Sequence, residues 1–469
     1  MTTAARRPAE FLKTLGAADV AFMAIIAVVS LRWIPRAARA GWLSVSLWCL
    51  AGTLFFIPLT LIVVELSTRF PEQGGLYVWT RRAFGARHAF FCGWCLWLNQ
   101  VFYFPSYLLF AVANLAALGG PHTTVLARNQ IVSAAVVLAL LWGLTALNIL
   151  GFEVAKWLQS AGTLGLWIPA GLLLAAVVIA LSKTGAATPF TARDLLPHGD
   201  TFSALGLWSS MCFAFSGFEI AGLVGQEIKT PRRTVPIGLA LAGVATVLLY
   251  IGGSTAILLA TPAGQISERT GIGDAIQAAT GSPVTGSLVL ALMAVAAIAT
   301  TSSWIAGAAR VPYAAAVAGR LPAFLGKVHP RFRTPHIALL VQAVFASMTL
   351  LASLFLNVEH QTTTVEEAYD VLVNLTILIY FVPYLYLFLS PLRLPQDSLQ
   401  GDVPGIPGGK PGRFTVCTAG AATTLVAIVL LFIPPPGTRS VWNFETNLVL
   451  QSGVIFAAGF LLDRFRNKP

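Results

Sequence analysis

An all-α integral membrane protein with about twelve transmembrane helices is the fold class this chain predicts, and three observations carry the prediction. Of its 469 residues 56% are hydrophobic and only 10% charged, whereas a soluble domain carries about 25% charged residues. Apolar windows of about 18 residues or more recur along the whole length, each long enough as a helix to cross a hydrocarbon core of about 30 Å. The period-2 alternation of barrel strands is absent, so the spans are read as helices.

Breaks rich in charge, proline or glycine divide the chain into spans at about 17–34, 42–66, 88–118, 130–150, 157–181, 202–225, 236–260, 285–309, 336–356, 368–391, 413–434 and 446–463. The N-terminus lacks a cleavable signal layout, so the first window is read as span 1 after a tail at 1–16. A Pro/Gly-rich linker at 392–412 separates residues 17–391 from two further spans within 413–463, and 464–469 form a second tail. With the N-terminus in the cytoplasm, most of the 30 Lys and Arg residues fall on the cytoplasmic side. The positive-inside rule therefore predicts a multi-pass protein of the cell (cytoplasmic) membrane with both termini inside. The same clustering accounts for the net charge of +11 without nucleic acid as a partner; the lipid bilayer is the expected one.

Other chemistries find little support. "CGWC" at 92–95 imitates a redox motif but sits inside an apolar window, where small residues of a membrane helix are the better reading. No two of the six histidines have metal-ligand spacing, so neither metal nor cofactor is expected. HExxH, Walker A and nucleophile-elbow motifs are absent, which disfavours an enzyme.

Three segments are more specific than hydropathy. "ELSTRFPEQGGLYVWTRRAFG" (65–85) joins spans 2 and 3, "FAFSGFEIAGLVGQEIKTPRRTVPIGL" (213–239) runs from span 6 into span 7, and "GAARVPYAAAVAGRLPAFLGKVHPRFRTP" (307–335) follows span 8. Their carboxylate-x5-P-x2-GG loop, F-x-G-F-E helix and E-x-K-x-P-x4-P exit, in this order, resemble the amino acid/polyamine/organocation (APC) family of transporters over roughly residues 10–390.

That resemblance implies a LeuT-type 5+5 inverted repeat, with halves at about 17–181 and 202–391, helices 1 and 6 broken near mid-membrane, and peripheral helices 11 and 12. A broken helix exposes N–H and C=O groups to a cavity, and the half-helix N-terminus can hold an anionic group. In span 6, Ser216 and Gly217 interrupt an apolar run, as an unwound turn or a close helix contact requires. Glu219 is an intramembrane carboxylate and so a functional candidate by residue type; the resemblance implies proton coupling there, with a structural hydrogen bond as the alternative. Phe213 matches an aromatic position that closes over substrate in relatives.

Span 1 departs from the family. Most members carry a G-S-G-type break, whereas counting back from Pro35 puts Val28, Val29 and Ser30 at those positions. Arg32 follows, and the pattern resembles the glutamate/γ-aminobutyrate antiporter branch, while polyamine porters share part of span 2 and its loop. Arg32, Arg36 and Arg39 form one stripe on a helix. Arg36 and Arg39 are read as the outer end of span 1, snorkelling to the interface or lining a vestibule. Arg32 lies deeper and needs Glu219, exposed carbonyls or a substrate carboxylate as partner.

The candidate substrate contacts are thus Val29, Ser30, Leu31 and Arg32 on span 1, Phe213, Phe215, Ser216 and Gly217 on span 6, and Asn99, Tyr103 and Tyr380 on spans 3 and 10. For the coupling ion, proton or sodium, sodium-driven relatives use two helix 8 hydroxyls, matched here by Thr301 and Ser302. The expected function is secondary transport of amino acids by alternating access; a polyamine or organic cation porter, or a non-transporting receptor of the same fold, are the alternatives.

Overall fold

The computed structural model describes residues 15–70, 75–183, 186–197, 204–223, 228–317, 321–356, 363–395, 405–435 and 438–466. Most of the expected tail at 1–16, part of the linker at 392–412, the end of the 464–469 tail and Glu227 of the E-x-K-x-P motif lie outside the described residues. The helices run in the order α1 (Ala17–Val28), α2 (Trp33–Ala38), α3 (Leu43–Ala51), α4 (Ile57–Arg69), α5 (Gly75–Phe84), α6 (Ala86–Leu118), α7 (Pro121–Arg128), α8 (Gln130–Leu150), α9 (Phe152–Lys183), α10 (Trp208–Ala214), α11 (Ile220–Leu223), α12 (Pro231–Ala260), α13 (Gly271–Thr280), α14 (Pro283–Ala308), α15 (Arg310–Val317), α16 (His336–Phe355), α17 (Val365–Arg393), α18 (Gly409–Leu430) and α19 (Val441–Arg466). No strand forms among the described residues beyond one isolated bridge between Leu15 and Ile228.

Among the described residues ten helical segments, counting α3 with α4 and α14 with α15 as one each, are long and apolar enough to cross a membrane. Within the other two expected spans, at 17–34 and 202–225, the described residues form only short helices, α1 with α2 and α10 with α11. Local chemistry sets the ends: the Asn129 side chain accepts from the Ile131 and Val132 N–H groups at the start of α8, and Thr364 and Glu367 cap the start of α17 reciprocally. Span 8 continues further than expected, through α15 to Val317.

Large apolar side chains such as Val178, Leu248, Met348 and Val429 are 59–70% exposed along these helices. Such a surface fits lipid rather than water. Inside, α1 packs on α12, α10 on α2 and α3, and α12 on α4; separately, α6 packs on α14, α16 and α17. Without a hydrophobic gain between lipid-soluble helices, close backbone approach is what holds them together. Gly165 of α9 shows it: a Cβ there would stand 2.4 Å from the Leu292 carbonyl oxygen of α14.

Between α3 and α4 the helix widens into a π turn at Gly52–Phe56, a device found often at functional sites. It carries Phe55 and Phe56, both buried. Phe56 stacks on Phe215 at 4.7 Å and Phe55 on Tyr384 at 5.6 Å.

Candidate functional site

Two helix interruptions define the site. The first is Val29–Arg32, between α1 and α2. Pro35 explains it, because a proline donates no hydrogen bond and its ring collides with the carbonyl four residues back, here Leu31. The second is Phe215–Glu219, between α10 and α11, where Gly217 adopts φ +120°. A side chain would be strained in that backbone and would also meet Val28 Cγ2 at 3.0 Å and the Ala27 carbonyl at 3.2 Å. The two breaks therefore lie against each other.

Tyr250 of α12, fully buried, ties them. Its hydroxyl accepts from the Ser30 N–H at 3.2 Å and lies within donating distance of the Val28 carbonyl at 3.0 Å and the Ala214 carbonyl at 3.1 Å. These are groups a broken helix leaves without intrahelical partners. Tyr250→Phe is expected to cost about 1–3 kcal/mol of stability by orphaning them, read as a lowered thermal unfolding midpoint; an unchanged midpoint refutes the role.

Arg32 is 1% exposed and sits in an aromatic box, its Cζ 4.2 Å from the Trp33 ring centroid, 5.0 Å from Tyr103 and 4.8 Å from Tyr107. Nη1 donates to Ser106 Oγ at 3.3 Å, while Nε and Nη2 are buried without a hydrogen-bond partner. No ion pair joins it to Glu219 among the described residues. Glu219 is itself engaged: Oε2 accepts from the Gly217 N–H at 3.0 Å and the Tyr384 hydroxyl at 2.6 Å, and Oε1 accepts from the Tyr380 hydroxyl. Between the two charges, Phe213 meets Trp33 and Tyr380 edge-on, each at 5.4 Å. Guanidinium, three touching rings and carboxylate thus form one continuous chain of contacts.

The other sequence candidates distribute as follows. Ser30 lies at the first break with Oγ 3.5 Å from the Tyr107 hydroxyl, and Val29 and Leu31 beside it are buried. Ser216 Oγ is buried and unpartnered, at the second break. Phe215 packs on Phe56, Trp48 and Tyr250, on the far side of the chain from Phe213. Asn99 donates to the Thr376 carbonyl at 2.6 Å and accepts from Gln100, clipping α6 to α17. Thr301 Oγ1 bonds back to the Ala297 carbonyl, and Ser302 accepts from the Asn148 amide at its hydroxyl, 3.0 Å, and its carbonyl, 3.2 Å.

The reading of Arg36 as a snorkelling side chain is overturned. It is 2% exposed, bonded to Glu268, to Asp370 at 2.7 Å, to Asn374 at 3.0 Å and to Ser210 at 3.2 Å. Arg39 keeps a 21% exposed side chain but pairs with Glu268 at 2.9 Å. A guanidinium this deep is tolerable only when its donors find acceptors, and here the loop before α13, α10 and α17 supply them. Burial alone would push the Glu268 carboxyl up; Arg36 and Arg39 overcome it and hold the group below the ordinary carboxylate range. This knot lies four residues, about one helical turn, beyond Arg32.

Sequence reasoning passed over Tyr107, Tyr250, Tyr384 and the partners of Arg36. Tyr107 and Tyr384 each follow a named candidate by four residues, the spacing that places side chains on one helix face, and Tyr250 is the one aromatic residue of the span at 236–260.

Comparison with known proteins adds three findings. The family described as amino acid permease matches residues 15–457. An uncharacterised transporter of Legionella pneumophila is 29% identical over 93% of this chain and 94% of its own length. Two proteins of Lactococcus lactis are also similar: a probable agmatine/putrescine antiporter, 27% identical over 65% of this chain and 66% of its own, and a glutamate/gamma-aminobutyrate antiporter, 24% identical over 82% and 77%.

Proposed function

The chain belongs to the amino acid permease family and is a membrane transporter; from that premise we propose that it carries carboxylate-bearing amino acids by alternating access around the paired breaks. The observation that carries the reading is Arg32: a buried cation with two unpartnered nitrogens is costly unless an anion arrives to take them. The ammonium end of the same substrate would meet the Glu219 carboxylate, in competition with the Tyr380 and Tyr384 hydroxyls that it now accepts from. The buried Arg32 guanidinium disfavours a polycation as sole cargo, which sets this reading against a polyamine porter.

The architecture we infer is the ten-helix core of 17–391 in inverted halves, 17–181 and 202–391, with α1–α2 and α10–α11 as its broken members and α18 and α19 peripheral. That makes twelve spans with both termini cytoplasmic, and puts the Arg36 knot on the outer side, closed. The engagement of Thr301 and Ser302 with protein partners supports proton over sodium coupling, with Glu219 as the candidate coupling residue.

Uptake or counterflow of labelled amino acids in proteoliposomes tests the function. Flux of an acidic or ω-carboxylate amino acid is the expected result; ligand-induced stabilisation without flux would leave a receptor. Glu219→Gln is expected to flatten the pH dependence of transport, and a profile unchanged from wild type rejects its proton role.

A further inference from the structure

Glu65, the carboxylate that opens the E-x5-P-x2-GG motif, has no part in the site above, yet it is 1% exposed. Its partners come from the start of α18. Arg413, itself 5% exposed, donates from Nη2 to Glu65 Oε1, and the Ile406 N–H donates to Oε2 at 3.2 Å. At the other end of α18 the Ala427 carbonyl accepts from Ser209 of α10 at 2.6 Å, and the Leu431 carbonyl accepts from Asn374 Nδ2 of α17 at 2.9 Å. Asn374 is a partner of Arg36, and Ser209 precedes another, Ser210. We propose that α18 is a strut through which the Arg413–Glu65 clasp holds the Arg36 knot in place, with Arg413 as a positioning residue for transport; the inference rests on the transporter reading above.

A strut must be stiff, anchored and close-fitting. α18 is unbroken from Gly409 to Leu430, and at 1.5 Å per residue Arg413 lies about 21 Å from Ala427 along it. The anchor is a buried, hydrogen-bonded charge contact, far stronger than an exposed pair. Midway, Thr423 donates to the Leu54 carbonyl in the π turn at 3.1 Å, which ties α18 to the α3–α4 helix a second time. Against α17 the fit is tight: a Cβ on Gly420 would stand 2.2 Å from the Phe388 ring. A tilt of α18 is therefore transmitted rather than absorbed.

The contact at the knot is sensitive to such a tilt. Leu431 follows the last residue of α18, where carbonyls lack intrahelical partners. By accepting from Asn374 Nδ2 it turns the amide so that Oδ1 faces Arg36 Nη2 at 3.0 Å. Withdraw the Leu431 carbonyl, and the amide is free to rotate away from the guanidinium. Loss of the clasp should then loosen the knot from more than 20 Å away. Where opening of the knot admits substrate, a larger open fraction lowers the apparent KM in proportion.

The test uses the full chain in nanodiscs, with Cys49, the exposed native cysteine, replaced by serine and Ser210→Cys as the reporter in the knot. Labelling by a charged methanethiosulfonate is followed site by site by mass spectrometry, with buried Cys92 of α6 as the internal control. Arg413→Gln is expected to speed labelling of Ser210→Cys about tenfold, the low end for losing a hydrogen bond to a charged group, and to leave Cys92 unlabelled. Arg413→Lys keeps the charge on what is a single-point contact and should restore most of the protection. Should Arg413→Gln not fold, Thr423→Val, which removes only the middle contact, is expected to speed labelling about threefold. An unchanged rate in the variant that folds, a rise shared by Cys92, or a rise in Arg413→Lys equal to that in Arg413→Gln overturns the strut. For an amino acid that supports flux in proteoliposomes, the apparent KM should fall by the same factor as labelling rises, and a KM that stays put overturns the part of α18 in transport. Faster labelling with no flux from any amino acid rejects the transporter reading alone.

Discussion

Arg32→Met is expected to abolish recognition of carboxylate-bearing substrates while raising the thermal unfolding midpoint of the ligand-free protein. The two effects have one cause. The guanidinium is buried with two donors unmet, so the empty protein bears its desolvation cost, softened by the three rings around it. A substrate carboxylate supplies the missing acceptors, and losing one partner of such a buried, hydrogen-bonded charge contact costs about 2–5 kcal/mol, an affinity loss of at least about 30-fold. A linear apolar side chain of similar length removes cost and gain together. Binding and melting measurements on the same preparation check both signs. Unchanged affinity, or a midpoint that falls, refutes the assignment.

Arg36→Met, four residues on, is expected to do the reverse to stability. Arg36 has acceptors on all sides, and its removal leaves Asp370 and Glu268 sharing a buried space with only Arg39 near. Breaking a buried pair by deleting one partner costs about 3–5 kcal/mol, so the midpoint should fall steeply. Acid should narrow the difference from wild type. Glu268 is held below its ordinary range, so the stability it contributes is present above the unfolded carboxylate value of about 4.3 and is lost as pH falls through the lower folded value. A variant as stable as wild type at neutral pH would show the knot to be dispensable.

Much of this was legible before the structure. Apolar length found every long helix, and span 4 was expected at the residues where α8 forms, because Asn129 and Gly151 punctuate both ends. Both breaks were legible too: Pro35 in an apolar helix and Ser216-Gly217 beside Glu219 are local chemical signals. The fate of Arg36 was not, since its carboxylates come from a loop and a helix far along the chain, and a stripe of arginines looks the same whether it meets water or Glu268. Of the partners the sequence offers Arg32, namely Glu219, exposed carbonyls or a substrate carboxylate, Glu219 is bonded elsewhere, and rings from α2 and α6 surround the guanidinium, a tertiary arrangement that no local signal announces. The π turn at Gly52–Phe56 leaves no mark in "GTLFF", whose composition suits an ordinary helix equally well.

The knot around Arg36 has an electrical consequence. Its charges are two guanidiniums, Arg36 and Arg39, and two carboxylates, Glu268 and Asp370, so the group as a whole is neutral. A single charge carried across the membrane field exchanges about 2.3 kcal/mol per 100 mV, but a neutral set that separates into water in place gives the membrane potential nothing to pull on. Under the proposed alternating access, voltage is then a poor lever on this end of the protein, and opening is left to whatever competes chemically for its carboxylates and guanidiniums.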